Sequence, residues 1–175
     1  MLLAAKAGAP WACTRLYEEY AGRVAGYLRR QGAREPDDVT SETFLDVFRN
    51  LPSFQGDEDD FRSWLFTIAH RRLIDEQRRL GRRPAEAPID EAPEPVAPPP
   101  SPDDGSDWLS VGRHLVGLTD EQRDVVLLRV IAGLSAKETG DVVDKSPEAV
   151  RQLQRRGLRA LERQLHADGS DLLER

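Results

Sequence analysis

A proline-rich stretch divides this chain of 175 residues into two parts. Eight prolines fall within residues 84–102, three of them in a row at residues 98–100. Proline lacks a backbone N–H donor and blocks helix formation, and the stretch has few apolar residues to bury. We therefore predict an extended, semi-rigid linker over residues 83–107, between an N-terminal domain of residues 1–82 and a C-terminal domain of residues 108–175.

The composition favours helices over strands. Leu, Ala, Arg and Glu are abundant, whereas Phe, Trp and Tyr together make up 6% of the chain. These four abundant types are strong helix formers, and no β-hairpin pattern is present. We therefore predict an all-α fold in which two small helical domains, each with a modest core, flank the linker.

Three amphipathic helices are predicted in the N-terminal domain, over Thr14–Gln31, Pro36–Asn50 and Asp60–Leu80. Each repeats apolar residues at intervals of three and four, which places them on one helix face. Leu51–Asp60 contains proline, glycine and an acidic run, so we predict a loop there. The side chains expected to face inward are Leu16, Tyr17, Tyr20, Val24, Tyr27, Leu28, Val39, Thr43, Phe44, Val47, Phe48, Trp64, Leu65, Ile68, Leu73 and Ile74.

The C-terminal domain is also predicted to be helical. Its predicted helices are Trp108–Val116, one beginning at Thr119, Ser135–Val143 and Ser146–Leu165. The second of these has the spacing of a capping box between Thr119 and Gln122, and Gly133 stops it. The side chains expected to be buried on that helix are Val125, Val126, Leu128, Val130 and Ile131.

The strongest functional pattern is a helix-turn-helix over Ser135–Leu161. Such a motif needs a small residue where its helices touch, a tight turn, a capped second helix and apolar anchors. The residues that fit these parts are Gly140 at the contact, Val143–Lys145 in the turn, Ser146 and Pro147 at the helix start, and Val150 and Leu153 as anchors. The motif predicts binding to duplex DNA.

The second helix of this motif has a polar outer face suited to reading bases. Its side chains are Glu148, Arg151, Gln152, Arg155 and Arg159. Arginine and glutamine can make paired hydrogen bonds to guanine and adenine in the major groove. The side chains placed to hold phosphates are Lys145, Ser146 and Arg156. The alternative is a helical hairpin with a solvated basic face.

A second basic segment ends the third predicted helix. Its arginines are Arg71, Arg72, Arg78, Arg79, Arg82 and Arg83, with Phe61, Trp64 and Phe66 before them. Aromatic rings beside cations can hold unpaired bases. An equally good alternative is that the rings are core residues and the arginines complement the helix dipole.

The net charge of −6 does not exclude binding to nucleic acid. Residues 81–107 carry seven acidic and two basic groups, so they supply nearly all of the negative excess, and the basic segments lie outside them.

No pattern predicts catalysis, a metal site or a cofactor. His70, His114 and His166 are isolated in the sequence, and the consecutive carboxylates of Asp57–Asp60 lack the spacing of a calcium loop. A single cysteine, Cys13, permits neither an intramolecular disulfide nor a cysteine-based metal site. Without a signal peptide or a membrane-spanning pattern, we expect a soluble, cytoplasmic protein that is not an enzyme.

The two halves together resemble the sigma-70 superfamily, in particular the short sigma factors of bacterial RNA polymerase called extracytoplasmic-function factors. Arg15–Tyr20 is similar to the start of region 2, and Asp38–Leu45 is similar to region 2.2. Phe61–Ala69 and Asp75–Arg79 are similar to regions 2.3 and 2.4. Leu118–Leu161 is similar to region 4. Their order and spacing, with a linker between them, make the resemblance specific.

The resemblance implies promoter-specific transcription initiation, with core RNA polymerase and promoter DNA as partners. It places Asp38, Ser41, Glu42, Phe44 and Phe48 against the clamp helices of the β′ subunit, and region 4 against the β flap. It assigns the −10 element to Phe54, Asp60, Trp64, His70, Arg71, Arg78 and Arg79, and the −35 element to Lys145, Ser146, Arg151, Gln152, Arg155 and Arg156. An anti-sigma factor is a typical further partner of the family.

The sequence departs from the family pattern at three positions. Ser41 stands where a longer glutamine is usual, Arg71 where asparagine is common, and Asp144 where the turn usually has glycine. Asp144 preserves the turn, since aspartate tolerates left-handed backbone geometry.

Two other functional classes remain open for this chain: an operator-binding regulator, which needs no polymerase, and a nucleic-acid enzyme such as a recombinase. The linker and Asp38–Leu45 speak against the first class, and the missing catalytic site speaks against the second.

Overall fold

The computed structural model describes residues 1–81, 115 and 117–171, and the side chains of its last helix as far as His166. These residues form helices and turns, without a strand. The helices are α1 (Leu2–Lys6), α2 (Pro10–Arg30), α3 (Pro36–Asn50), a 3₁₀ turn (Leu51–Ser53), α4 (Glu58–Arg79), α5 (Asp120–Val130), α6 (Ala136–Val143) and α7 (Pro147–Asp171). The all-α prediction is confirmed, whereas the predicted linker and the helix Trp108–Val116 fall mostly outside the described residues.

The first helix, α1, was not predicted. It has no side-chain cap, and it is held by burial of Leu2 and Ala5, which are 6% and 3% exposed. α2 then begins at Pro10, four residues before the predicted start, because proline at the first helical position already has a suitable φ. Gly32, with φ of 78°, follows the end of this helix as expected.

The loop between α3 and α4 is shorter than predicted. The 3₁₀ turn follows α3 directly, and Asp57 caps α4 by accepting hydrogen bonds from the backbone N–H groups of Asp59 and Asp60. α4 therefore begins at Glu58 instead of Asp60. Gly56 is required in this loop, because its φ is 145° and an added Cβ would lie 2.6 Å from Cβ of Asp60.

The N-terminal domain packs α2, α3 and α4 against one another, with α1 against α2 and the 3₁₀ turn. Edge-to-face ring contacts join α2 to α4, with centroid distances of 5.7 Å for both Tyr20–Phe61 and Tyr27–Phe66. Most of the residues predicted to face inward are buried. Tyr17 is the clearest error, being 42% exposed, because it lies over Phe44 at the domain surface.

The capping signals of the C-terminal domain are confirmed. Thr119 and Gln122 form the capping box of α5, and Ser135 forms another with Glu138 at the start of α6. The predicted burial on α5 is wrong at its last residue, since Val130 is 52% exposed. Residues 125–128 are all buried instead, because α5 is covered on more than one side by α6, α7 and the N-terminal domain.

The two domains contact each other directly. α5 packs against α2, and α6 packs against α4. The side-chain amide of Gln31 on α2 donates a hydrogen bond to the carboxylate of Asp124 on α5. We call this contact the domain interface, and the placement of the two domains against each other the closed arrangement.

Candidate functional site

A cleft of about 860 Å³ lies between α3, the 3₁₀ turn and α4. Its lining residues are Asp46, Asn50, Ser53, Phe54, Gln55, Trp64, Ile68, Arg71, Arg72 and Asp75. The lining combines aromatic rings, amides and cations, which suits a planar, partly polar group attached to an anionic chain. The cleft thus brings together three of the residues predicted to bind the −10 element: Phe54, Trp64 and Arg71.

Stacked aromatic rings form one wall of the cleft. The centroids of Phe54 and Trp64 are 4.8 Å apart and their planes are inclined by 27°. Phe61 braces both rings at 6.0 Å. Phe54 is only 9% exposed, so its ring is fixed in position, while Trp64 is half-buried and faces the cleft. The wall is therefore part core and part surface, which combines the two alternatives that the sequence left open.

Ion pairs neutralise one side of the cleft. The Nε of Arg72 donates to Asp46 at 2.8 Å, and its Nη1 donates to Glu42 at 3.1 Å, so α4 is fixed to α3. Asp75 pairs with Arg78 at 3.6 Å. Arg71 is exposed and, among the described residues, has no ion-pair partner. Its guanidinium is therefore the cation of the cleft that an anionic ligand can use.

Several residues predicted to bind the −10 element lie elsewhere. Asp60 completes the cap of α4, since its carboxylate accepts from the backbone N–H of Asp57 at 3.1 Å. Nδ1 of His70 lies 2.8 Å from the hydroxyl of Tyr27, and burial lowers the pKa of this imidazole. Arg78 and Arg79 are exposed at the end of α4. Asp60 and His70 thus have structural partners in the closed arrangement.

The residues predicted to bind polymerase follow one side of α3. Asp38 and Ser41 are exposed and Glu42 is partly exposed. Phe44, however, is only 2% exposed, because Tyr17 and Phe48 cover its ring at centroid distances of 4.8 and 5.7 Å. The inward position that the helical periodicity predicts for Phe44 is confirmed, while its contact with polymerase stays a prediction. Leu45, at 63% exposed, is an apolar side chain of this side of α3 that the sequence reasoning missed. We call this exposed side of α3 the α3 surface.

The helix-turn-helix has the predicted geometry. An added Cβ on Gly140 would lie 2.3 Å from the carbonyl oxygen of Lys145, so the turn approaches α6 as closely as glycine permits. Asp144 adopts the left-handed conformation, with φ of 54° and ψ of 51°. Val150 is fully buried and anchors α7, and Leu153 is half-buried.

The outer face of α7 is exposed in the part of the chain that the structure describes. The exposed side chains on this face and its flank are Glu148, Arg151, Gln152, Arg155, Arg156 and Arg159. Glu148 pairs with two of them, at 3.2 Å to Arg151 and 3.8 Å to Arg155. We call these residues the reading face. Of the predicted phosphate ligands, Ser146 caps α7 and the Nζ of Lys145 pairs with Glu121 at 2.7 Å.

A chain of polar groups crosses the domain interface. Gln31 contacts both Asp124 and the hydroxyl of Tyr27, which in turn meets His70. Burial raises the pKa of Asp124 to about 6, although the hydrogen bond from Gln31 opposes that shift. Burial also raises the pKa of Tyr27 well above its usual range. This network could not be predicted from the sequence, because Tyr27 and Gln31 lie far along the chain from His70 and Asp124.

Within the described residues, no group of three histidine, cysteine or acidic side chains could hold a metal ion. No helix in that part of the chain is long and apolar enough to cross a membrane.

Two family models match the chain. The model described as sigma-70 region 2 matches residues 16–83, and the model described as sigma-70, region 4 matches residues 114–163. Together they include the cleft, the α3 surface and the reading face. Neither model includes α1.

Several curated relatives are sigma factors. The factor BldN of Streptomyces coelicolor, described as an ECF RNA polymerase sigma factor, is 35% identical over 170 residues, which cover 94% of this chain and 64% of BldN. The factors SigK of Mycobacterium ulcerans and SigD of Mycobacterium tuberculosis have the same description. They are 32% and 30% identical, over 89% and 86% of this chain and over 82% and 72% of their own lengths.

Two solved structures share the fold. CnrH, in complex with the cytosolic domain of CnrY, aligns over 95% of this chain and 96% of its own, with a TM-score of 0.68 and 24% identity. The sigma factor RpoE of Bartonella quintana, in complex with the anti-sigma factor NepR, aligns over 89% of this chain and 97% of its own. Its TM-score is 0.70 and its identity 17%.

Proposed function

Since the chain belongs to the extracytoplasmic-function group of sigma-70 RNA polymerase sigma factors, we propose that it directs promoter-specific initiation by binding core polymerase and recognising the −10 and −35 elements. Residues 1–82 bind the polymerase and the −10 element, residues 108–175 bind the −35 element, and residues 83–107 link them. The observation that carries this proposal is the presence, in one chain, of an aromatic cleft in one domain and a reading face in the other.

The reading face supports recognition of duplex DNA. Arg151, Gln152 and Arg155 project from one exposed side of a helix whose other side is anchored by Val150. That arrangement lets the helix enter a major groove while its arginine and glutamine side chains meet base edges. Arg156 lies beside this row and holds the DNA backbone, together with Lys145 and Ser146 at the start of the helix.

The cleft supports recognition of an unpaired base from the −10 element. A base removed from the duplex loses its stacking, at a cost of a few kcal/mol, and needs a replacement surface. The half-buried ring of Trp64, supported by the buried ring of Phe54, offers that surface, and Arg71 offers a cation to the adjoining backbone. Arg78 and Arg79 extend the positive charge towards the end of α4 and contact the neighbouring duplex.

The α3 surface supports docking on the polymerase. Asp38, Ser41 and Glu42 supply polar groups to this surface, and Leu45 and Phe48 supply apolar area. The buried ring of Phe44 packs beneath them. We propose the β′ clamp helices as the partner of this surface and the β flap as the partner of the C-terminal domain. The chain works in the cytoplasm and catalyses no reaction itself, because the polymerase supplies the chemistry. An anti-sigma factor is a further partner to seek.

Binding both promoter elements at once requires the closed arrangement to open. Elements named for positions about 25 base pairs apart have centres about 85 Å apart, at about 3.4 Å per base pair. A globular chain of this size is only about 40 Å across. The domain interface must therefore separate on the promoter, and a fully extended linker of residues 83–107 reaches about 80 Å.

Run-off transcription tests the proposal. Purified core polymerase, with and without the chain, is given genomic promoter fragments, and the transcript starts are mapped. We expect specific starts only when the chain is present, with −10 and −35 sequences shared among the active fragments. Unchanged initiation at every fragment would contradict the proposal.

Binding assays without polymerase separate the other classes. We expect the chain alone to bind promoter duplex weakly, because each domain has few DNA contacts and the linked pair gains affinity only on the enzyme. Tight, specific binding by the chain alone would indicate an operator-binding regulator. Cleavage or strand joining by the chain alone would indicate a nucleic-acid enzyme.

A further inference from the structure

We infer that Lys6, on the N-terminal helix α1, belongs to the site for unpaired DNA and binds a backbone phosphate next to the base held in the cleft. This inference rests on the proposed function of the cleft. It adds a contact from outside the family models, which begin at residue 16. The ligand is the phosphodiester of a single strand.

The packing of α1 brings it to the cleft. Leu2 and Ala5 are buried in the core, and the turn after the helix is closed by hydrogen bonds from Gly8 N–H to Ala5 and from Ala9 N–H to Ala4, at 2.9 and 3.0 Å. α1 also packs against the 3₁₀ turn, which immediately precedes Phe54. The helix is therefore a fixed neighbour of the aromatic wall.

Lys6 extends from this helix to the Phe54 ring of the wall, just outside the residues that line the cleft. Its Nζ lies 5.7 Å from the centroid of Phe54, the ring that stacks on Trp64. A lysine ammonium has three N–H donors, so attraction to a ring face leaves donors available for oxygen acceptors. The side chain is only half-buried, and no carboxylate among the described residues pairs with it. The ammonium thus adds an unbalanced positive charge beside the cleft.

The remaining charges of the cleft favour such a contact. Asp46 is committed to Arg72 and Asp75 pairs with Arg78, so the carboxylates of the lining are compensated. Arg71 and Lys6 are the cations near the aromatic wall for which the described residues offer no ion pair. A strand whose base stacks on the wall has phosphates on both sides of that base. Lys6 and Arg71 can each neutralise one of them.

The competing explanation is that Lys6 only stabilises the packing of α1 on Phe54. The two roles differ in their dependence on salt. A lysine that neutralises one phosphate of a single strand contributes about 0.7 to the slope of log affinity against log salt concentration. A lysine with a packing role contributes nothing to that slope, although its loss lowers the thermal stability.

The experiment measures binding of the holoenzyme to a DNA duplex with a single-stranded −10 overhang and no −35 element, across a range of KCl concentrations. Lys6→Met keeps the length of the side chain and removes the charge, and Lys6→Arg restores the charge. Lys137→Met is the matched control, because Lys137 is an exposed lysine of the C-terminal domain, which this DNA leaves without its element.

We expect the slope to fall by about 0.7 for Lys6→Met and to stay at the wild-type value for Lys6→Arg and Lys137→Met. The affinity deficit of Lys6→Met then shrinks about 2.6-fold when the salt concentration rises fourfold. An unchanged slope for Lys6→Met overturns the inference, including the case in which its melting temperature falls. Failure of the wild-type holoenzyme to prefer the −10 overhang over a scrambled one would overturn the proposed function instead.

Discussion

The two surfaces proposed to bind DNA are built in different ways. The reading face comes from a single helix, α7, whose polar side chains project freely from an anchored backbone. The cleft is assembled from α3, the 3₁₀ turn and α4, and its key ring, Phe54, is almost entirely buried. One surface protrudes and the other is a cavity between elements.

This difference follows from the two forms of DNA. A duplex presents its base edges inside a groove, so the protein must insert a convex element with exposed donors and acceptors. An unpaired base must be surrounded, so its site needs walls from several elements and rings that are already held in place. Binding residues of the first kind are exposed and local in sequence, whereas those of the second kind are partly core residues.

The largest effect is expected from Gly140→Ala, which should disable the reading face and spare the cleft. The new Cβ would lie 2.3 Å from the backbone oxygen of Lys145, and a backbone atom cannot move aside without opening the turn. We expect a loss of about 3 kcal/mol in the stability of the C-terminal domain. Chemical denaturation and −35 duplex binding by the holoenzyme measure the effect.

Gly22→Ala is the matched control, since Gly22 is an exposed helical glycine with open space around it. It should raise stability by about 0.5–1 kcal/mol, because alanine is the better helix former. Equal binding of the −10 overhang by wild type and Gly140→Ala would support the separation of the two surfaces. A parallel loss at both elements would contradict it.

The next effect concerns the domain interface, where Asp124→Asn removes a buried charge and keeps the oxygen that accepts from Gln31. Burial raises the pKa of Asp124 from 3.8 to about 6, so the closed arrangement binds a proton more readily than the separated domains. The protonated carboxyl thus favours closure at low pH, and this contribution is lost as the pH rises through about 6. A shift of this size corresponds to about 3 kcal/mol.

We therefore expect Asp124→Asn to be more stable than wild type at pH 7.5, by up to about 3 kcal/mol, and equal to it near pH 4. His70 titrates with the opposite sign, because its pKa is lowered by burial and its protonation at acid pH opposes closure. That residue is present in both proteins, so the difference between their denaturation curves isolates Asp124. A difference that does not change between pH 4 and pH 7.5 would sink this account.

Arg151→Ala sharpens the comparison at the level of one base pair. Loss of a paired hydrogen bond to a base edge should reduce discrimination at one position of the −35 element by about 1–3 kcal/mol. Binding to the −10 overhang should not change. Arg163→Ala, which removes an exposed arginine further along α7, should leave base preferences unaltered. Unaltered preference at every upstream base in Arg151→Ala would remove this residue from the reading face.

The smallest effect is expected from Asp144→Gly in the turn of the helix-turn-helix. Asp144 has φ of 54°, a conformation that glycine adopts without the steric cost of a Cβ. We expect stability to rise by less than about 1 kcal/mol, while Asp144→Ala lowers it by a similar amount. Thermal unfolding of the full chain measures both variants. A loss of stability in the glycine variant would show that the carboxylate contributes more than the backbone strain costs.

The two domains also differ in how far the sequence predicts them. The starts of α5, α6 and α7 were predicted closely, because capping residues and proline are local signals at helix ends. α1 was missed because it has no cap and depends on burial of Leu2 and Ala5 by distant parts of the chain. Most of the reading face could be predicted for the same local reason.

The cleft and the domain interface depend on tertiary contacts that no local pattern contains. The ring of Phe44 is covered by Tyr17 from a different helix, so neither exposure could be judged from one segment alone. The proximity of Gln31 and Asp124, separated by 93 positions, likewise depends on the packing of whole domains. The residue types of the cleft were predicted, but not which of them form its walls.

The ion pairs of Arg72 connect the docking surface proposed on α3 to the cleft. The guanidinium of Arg72 donates hydrogen bonds to Glu42, on the proposed docking surface, and to Asp46, in the lining of the cleft. A partner that draws Glu42 towards itself leaves Arg72 with fewer acceptors and so makes the cleft more attractive to an anion. Thermodynamic reciprocity then requires that a DNA strand bound in the cleft raises the affinity of the chain for the polymerase by the same factor.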